Sequence, residues 1–384
     1  MNPRIATGGA AAMTVVVTRR ALIHAAPLLA GAVSLAGLPR PAPAQAPAAA
    51  RQAMTGIRLS GNENPYGPGP AARNAIAAAV GDSWKYPIAE EMALKAQIAE
   101  HEGLTPRHVL IGDGSSEILH LAGLLAAADQ GEVLTAVPTF NVTAAHARAM
   151  GAAVREVPLD ARMTYDLPAL KAAVSPATRL IYICNPNNPT GTMLPGAQLR
   201  DFIAGLPPAV TVLVDEAYLE LAADVRAESV AARVAADGNV IVARTFSKLH
   251  GLAGLRIGYA LARPDIIERM ARLKLTVASS LGLVAAAASY ADLKFQAESR
   301  ERIAEGLAIT TAALDELQRP HTETRGNFVF FDTGKPAGEF LGAMRQKGFA
   351  LGRPFPPYTN WCRVSMGTVE QMRAFAAALR AHYA

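Results

Sequence analysis

The chain has 384 residues, 51% hydrophobic and 18% charged, long enough for one large or two modest cores and too apolar to remain disordered. The formal charge of +5 is no nucleic-acid footprint: the first 44 residues hold four Arg and no acid, the remainder carries 33 basic against 32 acidic residues, and no basic stretch with interleaved aromatics is left. Cys184 and Cys362 are too few for a disulfide scaffold or a Cys-rich zinc site, so both are expected as buried free thiols and no metal site is expected.

At the start of the chain, Thr18-Arg19-Arg20-Ala21-Leu22-Ile23 precedes an apolar stretch that runs to Leu38, and Ala42-Pro43-Ala44 offers a small-x-small cleavage site. Basic, apolar and small-residue regions in this order form a secretory signal, and the paired Arg points to the twin-arginine route. Residues 1–44 are therefore expected to be a signal peptide. The protein would be periplasmic or otherwise exported, touching a membrane only during export, or cytoplasmic if the leader is not used. The competing reading is a membrane anchor; His24, Pro27 and glycines break the apolar stretch. Met1 and Met13 are both possible starts.

Residues 45–80 read as an Ala-rich N-terminal arm that joins a small domain. Beyond it, strand-like runs fall at Val109–Ile111, Glu132–Ala136, Leu180–Cys184, Thr211–Val214 and Val240–Ala243. Helical periodicity fits Ser116–Ala128, Val142–Met150, Pro195–Ile203 and Pro264–Leu275. This alternation predicts an α/β domain with a mainly parallel central sheet over residues 81–290. From Leu293 onward the pattern changes: a helix at Ala297–Leu317, a strand at Asn327–Asp332, a helix at Gly338–Lys347 and a strand at Cys362–Met366. Residues 291–384 are expected to form a smaller α+β domain.

Four segments at strand ends carry the chemistry, where open α/β sheets bind ligands. Gly112-Asp113-Gly114-Ser115-Ser116 lies between a strand and a helix, a place where glycines and free N–H groups suit a phosphate. Asn185-Pro186-Asn187-Asn188-Pro189-Thr190-Gly191 is a rigid loop able to aim an amide at a ligand; a plain turn would explain its Pro and Gly but not three Asn. Asp215-Glu216-Ala217-Tyr218 ends a buried strand, where a carboxylate needs a partner such as a protonated ring nitrogen, unless Asp215 merely caps a helix. Thr245-Phe246-Ser247-Lys248 ends another strand, with Arg256 close behind. A Lys there with a depressed pKa can form an imine, and an Arg can pair with a phosphate.

Together these residues resemble the fold-type I pyridoxal-phosphate (PLP) enzymes of the class I/II aminotransferases, and most nearly the histidinol-phosphate aminotransferase group. The resemblance runs from Leu59 to the C-terminus. Leu59–Pro68 is similar to that group's N-terminal signature, and Thr245–Tyr259 to the family's lysine segment. It implies that pyridoxal 5′-phosphate is the cofactor and Lys248 the catalytic residue, which would bind the cofactor as a Schiff base and move the proton at the substrate's Cα. Asp215 would keep the ring nitrogen protonated, Tyr218 and Asn188 would hydrogen-bond the ring oxygen, and Phe140 would stack on the ring. Ser115, Ser116, Thr245, Ser247 and Arg256 would hold the phosphate. Tyr86 would reach the phosphate of a neighbouring subunit, which implies a homodimer with shared active sites. Arg363 would bind the substrate's carboxylate or phosphate, with Tyr66 and Arg353 as further substrate contacts; Arg353 reads equally well as a solvated loop residue.

The sequence departs from the pattern at Ser116 and at Ile88, where acids are common, and at Thr245, where Ser is frequent. The expected activity is ping-pong transfer of an amino group between an L-amino acid or histidinol phosphate and a 2-oxo acid or phosphorylated oxo compound. PLP-dependent decarboxylation, elimination or cyclisation on the same fold is the alternative, and a non-catalytic PLP- or phosphometabolite-binding protein is the third reading. A nicotinamide dehydrogenase is disfavoured because no Gly-x-Gly-x-x-Gly follows the first strand of the α/β region.

Overall fold

The computed structural model describes residues 56–384, so the expected leader and the start of the arm lie outside the described residues. After a short strand β1 (Ile57–Arg58), seven strands form one sheet: β2 (Val109–Asp113), β3 (Glu132–Val137), β4 (Ala153–Pro158), β5 (Thr178–Cys184), β6 (Thr211–Asp215), β7 (Val240–Thr245) and β8 (Ile257–Leu261). Their order is β2-β8-β7-β6-β5-β3-β4. Only β8 runs antiparallel to its neighbours, so the sheet is mainly parallel as the alternation of elements implied.

The sheet is covered on both faces, which is why its central strands read as unbroken apolar runs. On β6, Val212 and Val214 enter one core and Leu213 the other; on β5, Ile181 and Ile183 share the first core, while Leu180 and Tyr182 share the second. Helix Ile88–Glu102 supplies Leu94 and Ile98 to one face, and helix Ser115–Ala128 supplies Ile118, Leu119 and Leu121 to the other. Each such side chain fully withdrawn from water contributes about 1.5–3 kcal/mol before the entropy of ordering is subtracted.

A third core lies around β9 (Phe328–Asp332) and β11 (Trp361–Ser365), antiparallel with Phe328 opposite Ser365. Helices Leu293–Glu316, Ala337–Gln346 and Val369–Tyr383 pack there through Ile303, Leu314, Phe340, Met344, Met372 and Phe375. Strand β1 pairs in parallel with β10 (Phe349–Ala350), and the Ser365 N–H donates to the Leu59 carbonyl at 3.0 Å. The segment after β1 is thereby stitched to this third core on its way to the large sheet.

Two strands of the large sheet escaped the sequence reading for physical reasons, besides the two-residue β1 and β10. β4 is an edge strand with most residues exposed, so it shows no apolar run. β8 contains Gly258, which breaks the apolar pattern of Ile257–Leu261. A Cβ there would come within 2.2 Å of the Ser115 backbone nitrogen, so only glycine lets the helix start pack on the sheet.

Candidate active site

The carboxyl ends of β2, β5, β6 and β7 open into a cavity of about 290 Å³. Eleven of the fourteen residues singled out from the sequence line it: Ser115, Ser116, Phe140, Asn188, Asp215, Tyr218, Thr245, Ser247, Lys248, Arg256 and Arg363.

At one end the helix Ser115–Ala128 begins with no side-chain cap, which leaves its first backbone N–H groups to the cavity. Gly114 precedes it at φ 72°. Here glycine is required twice, for that left-handed backbone and because a Cβ would sit 2.2 Å from Arg256 Nη2. Arg256 itself adopts φ 57°, a costly conformation for a residue with a side chain, and donates to Ser247 Oγ and the Asp113 carbonyl, each at 3.4 Å. Thr245 Oγ1 donates to Ser247 Oγ at 2.9 Å. Hydroxyls, N–H groups and a guanidinium converge without an acid among them.

At the floor lies Asp215, 2% exposed. Its carboxylate accepts from the Ala217 N–H at 3.1 Å and from the Tyr182 hydroxyl at 3.2 Å, with the Cys184 thiol 4.0 Å away. Burial pushes its pKa up to about 6 against the pull of these donors and of Lys248. Behind it, Arg244 bonds Glu216 (2.9 Å), Glu102 (2.6 Å) and Ser229 (2.8 Å), a buried ion set that ties the ends of β6 and β7 together.

Lys248 projects between floor and mouth, its Nζ 3.4 Å from the Gly61 carbonyl and 5.4 Å from the centre of the Tyr218 ring. Burial is the main cause that brings its pKa down to about 8, helped by the Arg363 and Arg256 charges. A useful share of the amine is therefore neutral and nucleophilic near pH 8. The Tyr218 hydroxyl accepts from Asn62 (2.9 Å) and Asn188 (3.3 Å). In the Asn-rich loop, Asn185 and Asn187 bind the loop's own neighbourhood, at Leu194 and at Pro138 and Thr190, and Asn188 faces the cavity.

Arg363, on β11, closes the far end. It donates to Asn188 Oδ1 at 2.5 Å and to the Ser60 carbonyl at 2.6 Å, while its buried Nε has no hydrogen-bond partner among the described residues. Burial lowers its pKa, and a buried guanidinium with an orphaned N–H is prepared for an anion.

Three expected contacts are not in this cavity. Tyr66 turns to the last helix, where its hydroxyl accepts from the Val369 N–H at 2.8 Å and Arg302 stacks 4.8 Å from its ring. Arg353 is exposed, and Phe355 stands between it and the site, with the Arg353 guanidinium 4.7 Å and that of Arg363 5.2 Å from the same ring. The solvated-loop reading of Arg353 therefore describes it better. Tyr86 is 82% exposed and lies outside the cavity of its own chain. Conversely, Asn62, Glu63, Tyr182 and Cys184 belong to the site or its support and were not singled out. Tyr182 and Cys184 sit mid-run in an apolar strand and look like core; Asn62 and Glu63 lay unassigned inside the N-terminal signature.

Pyridoxal 5′-phosphate suits this donor set. The uncapped helix start with Arg256, Ser247 and Thr245 matches a phosphate, and the buried Asp215, without an ion pair among the described residues, matches a protonated ring nitrogen. Tyr218 and Asn188 match a ring oxygen, and Lys248 an aldehyde carbon. Gly114→Ala should therefore displace Arg256 and raise the Kd for the cofactor about tenfold or more, given about 1–2 kcal/mol of backbone strain. Fluorescence titration of the apo-protein measures this, and an unchanged Kd would contradict the assignment of this end to the phosphate.

The family model for aminotransferase class I and II matches residues 55–379. The histidinol-phosphate aminotransferase of Moorella thermoacetica is 37% identical over 84% of this chain and 84% of its own length. The aromatic amino acid aminotransferase of Mycobacteroides abscessus is 36% identical over 85% of this chain and 92% of its own. Among solved structures, histidinol-phosphate aminotransferase from Sinorhizobium meliloti in complex with pyridoxal-5′-phosphate matches with TM-score 0.79 at 28% identity, covering 91% of this chain and all of that one.

Proposed function

This chain belongs to the class I and II aminotransferases, PLP-dependent enzymes of fold type I, and we propose that it takes an amino group from histidinol phosphate or an aromatic-type L-amino acid and gives it to a 2-oxo acid in two half-reactions. The observation that carries the substrate side is Arg363, buried at the end of the cavity with an unpartnered Nε, which suits a carboxylate or phosphate on the donor. The two curated relatives named above act, by their names, on donors of these two kinds.

Bound pyridoxal 5′-phosphate supplies a carbonyl that captures the donor's amine and a ring that draws electrons from its Cα. The chain's own residues do the rest. With the cofactor bound, Lys248 Nζ, partly neutral near pH 8, would take the proton from the donor's Cα and hold it for return. Asp215 would keep a proton on the ring nitrogen. Arg363 fixes the substrate anion, so that the Cα–H bond faces Lys248. Tyr218 and Asn188 would hold the ring oxygen, and Phe140 would cover the ring.

We infer three further features of the chain. Residues 81–290 carry the cofactor, and residues 291–384 with the arm carry the substrate side. Two copies pair through the exposed apolar stretch of Trp84 (80%), Tyr86 (82%), Ile88 (66%) and Met92 (66%), with Tyr86 reaching the neighbour's phosphate. Residues 1–44 direct export by the twin-arginine route; the order of basic, apolar and small residues supports this.

A panel of donors tests the substrate proposal. With one fixed 2-oxo acid, kcat/KM for histidinol phosphate or an aromatic amino acid should exceed that for alanine and aspartate at least tenfold. A preference for aspartate would overturn it.

A further inference from the structure

Five charged side chains line the cavity, and four have tasks: Asp215 at the ring nitrogen, Arg256 at the phosphate, Lys248 at the reacting carbon and Arg363 at the substrate anion. The fifth is Glu63. Its neighbours fix where it stands. Asn62 is tied down by Tyr218 and by Ser365, whose hydroxyl donates to Asn62 Oδ1 at 2.6 Å. Glu63 then folds back over Gly61 so closely that a Cβ on Gly61 would come within 2.3 Å of Glu63 Oε2. The Gly61 carbonyl faces Lys248 Nζ, and the preceding Ser60 carbonyl accepts from Arg363. Glu63 thus stands at the substrate end of the cavity, across from the phosphate end.

The carboxylate pairs with Arg58 at 2.6 Å, with the two side chains 51% (Arg58) and 31% (Glu63) exposed. A pair this open to water adds little to stability, typically about 0–1 kcal/mol, so holding the fold together does not account for the carboxylate at the mouth. It lends the site a negative charge of its own, shared with a counter-ion that a substrate group can displace.

We propose that Glu63 is a specificity-determining residue, whose carboxylate favours amino donors with a positive charge or N–H donor on the side chain, an imidazole above all, and disfavours acidic side chains. This rests on the reading of the cavity as an amino-donor site. It adds to that reading which side chain the site selects.

The test is calorimetric binding of two unreactive carboxylates, 3-(imidazol-4-yl)propanoate and 3-phenylpropanoate, to the PLP-loaded full chain. At pH 6, where much of the imidazole is charged, the wild type should bind the imidazole compound about tenfold more tightly than the phenyl compound, and the margin should narrow by pH 8. In Glu63→Gln the ratio should fall to about twofold or less and lose its pH dependence. In Arg58→Gln, which frees the carboxylate, the ratio should widen. An equal ratio in wild type and Glu63→Gln, or a parallel loss of both ligands, would overturn the proposal. Because neither ligand reacts, the ratio judges Glu63 separately from whether any donor is transaminated, which the donor panel decides.

Discussion

Lys248→Ala is expected to lower kcat by about 10⁴-fold or more, because one side chain holds the cofactor covalently and also moves the proton at Cα. The loss should be chemical and not structural. Among the described residues the Lys248 amine makes one hydrogen bond, 3.4 Å to the Gly61 carbonyl, and otherwise lies over the Tyr218 ring, so no ion pair or network is lost with it. Thermal unfolding of the variant should therefore stay close to wild type. The mass that borohydride fixes onto the wild-type protein with pyridoxal 5′-phosphate should be absent from the variant. A small primary amine added to the solution should restore part of the rate, which no structural role for Lys248 would allow. In the wild type, capture of the cofactor should speed up as pH rises through about 8, the value to which burial lowers this amine. A midpoint near that of a free lysine would contradict the desolvated environment described here.

Asp215→Asn separates stability from function. It should lower kcat on the order of 10²–10³-fold, since an amide cannot hold a full proton on the ring nitrogen. The same change should make the apo-protein more stable at neutral pH. In the folded chain the carboxyl has its pKa raised from 3.8 to about 6 by burial. As pH rises from about 4 to 6, the unfolded chain releases this proton while the folded chain still keeps it, so wild-type stability falls across that window and stays lower above it. The shift corresponds to about 3 kcal/mol. The new amide leaves an N–H₂ short of partners at every pH, which offsets part of the gain, so a net stabilisation of about 1–2 kcal/mol is expected above pH 6 and a net destabilisation of about 1 kcal/mol near pH 4. Urea unfolding of both apo-proteins at the two pH values measures it. A variant less stable than wild type at pH 7 would mean that Asp215 has a cationic partner in the apo-protein.

These two residues were legible in the sequence because of where they stand: a Lys among hydroxyls and an acid at the end of a strand that is otherwise apolar. Buried parallel strands hold few polar residues in their interiors, so the first polar residues at each carboxyl end mark the ligand face. The same reasoning found the Gly114–Ser116 turn and Asn188, and it could not separate Asn188 from Asn185 and Asn187, whose amides are spent on the loop itself. It could not find Tyr182, whose ring is core while its hydroxyl serves Asp215. The family resemblance placed Tyr66 and Arg353 at the substrate. Their side chains go elsewhere, one to the start of the last helix and one to the outer side of Phe355. Position along a motif says which backbone nears the site, and packing decides which side chains enter it. The strand β8 was hidden by Gly258, whose missing side chain is what lets the phosphate end form.

One measurement bears most directly on the whole assignment: the visible spectrum of the PLP-loaded protein through a single half-reaction and its reversal. Addition of histidinol phosphate or an aromatic amino acid should bleach the cofactor's visible band with release of the matching oxo compound, and a 2-oxo acid added afterwards should restore the band in full. A band that no donor bleaches, or one that bleaches with release of carbon dioxide and is not restored by any 2-oxo acid, would contradict it.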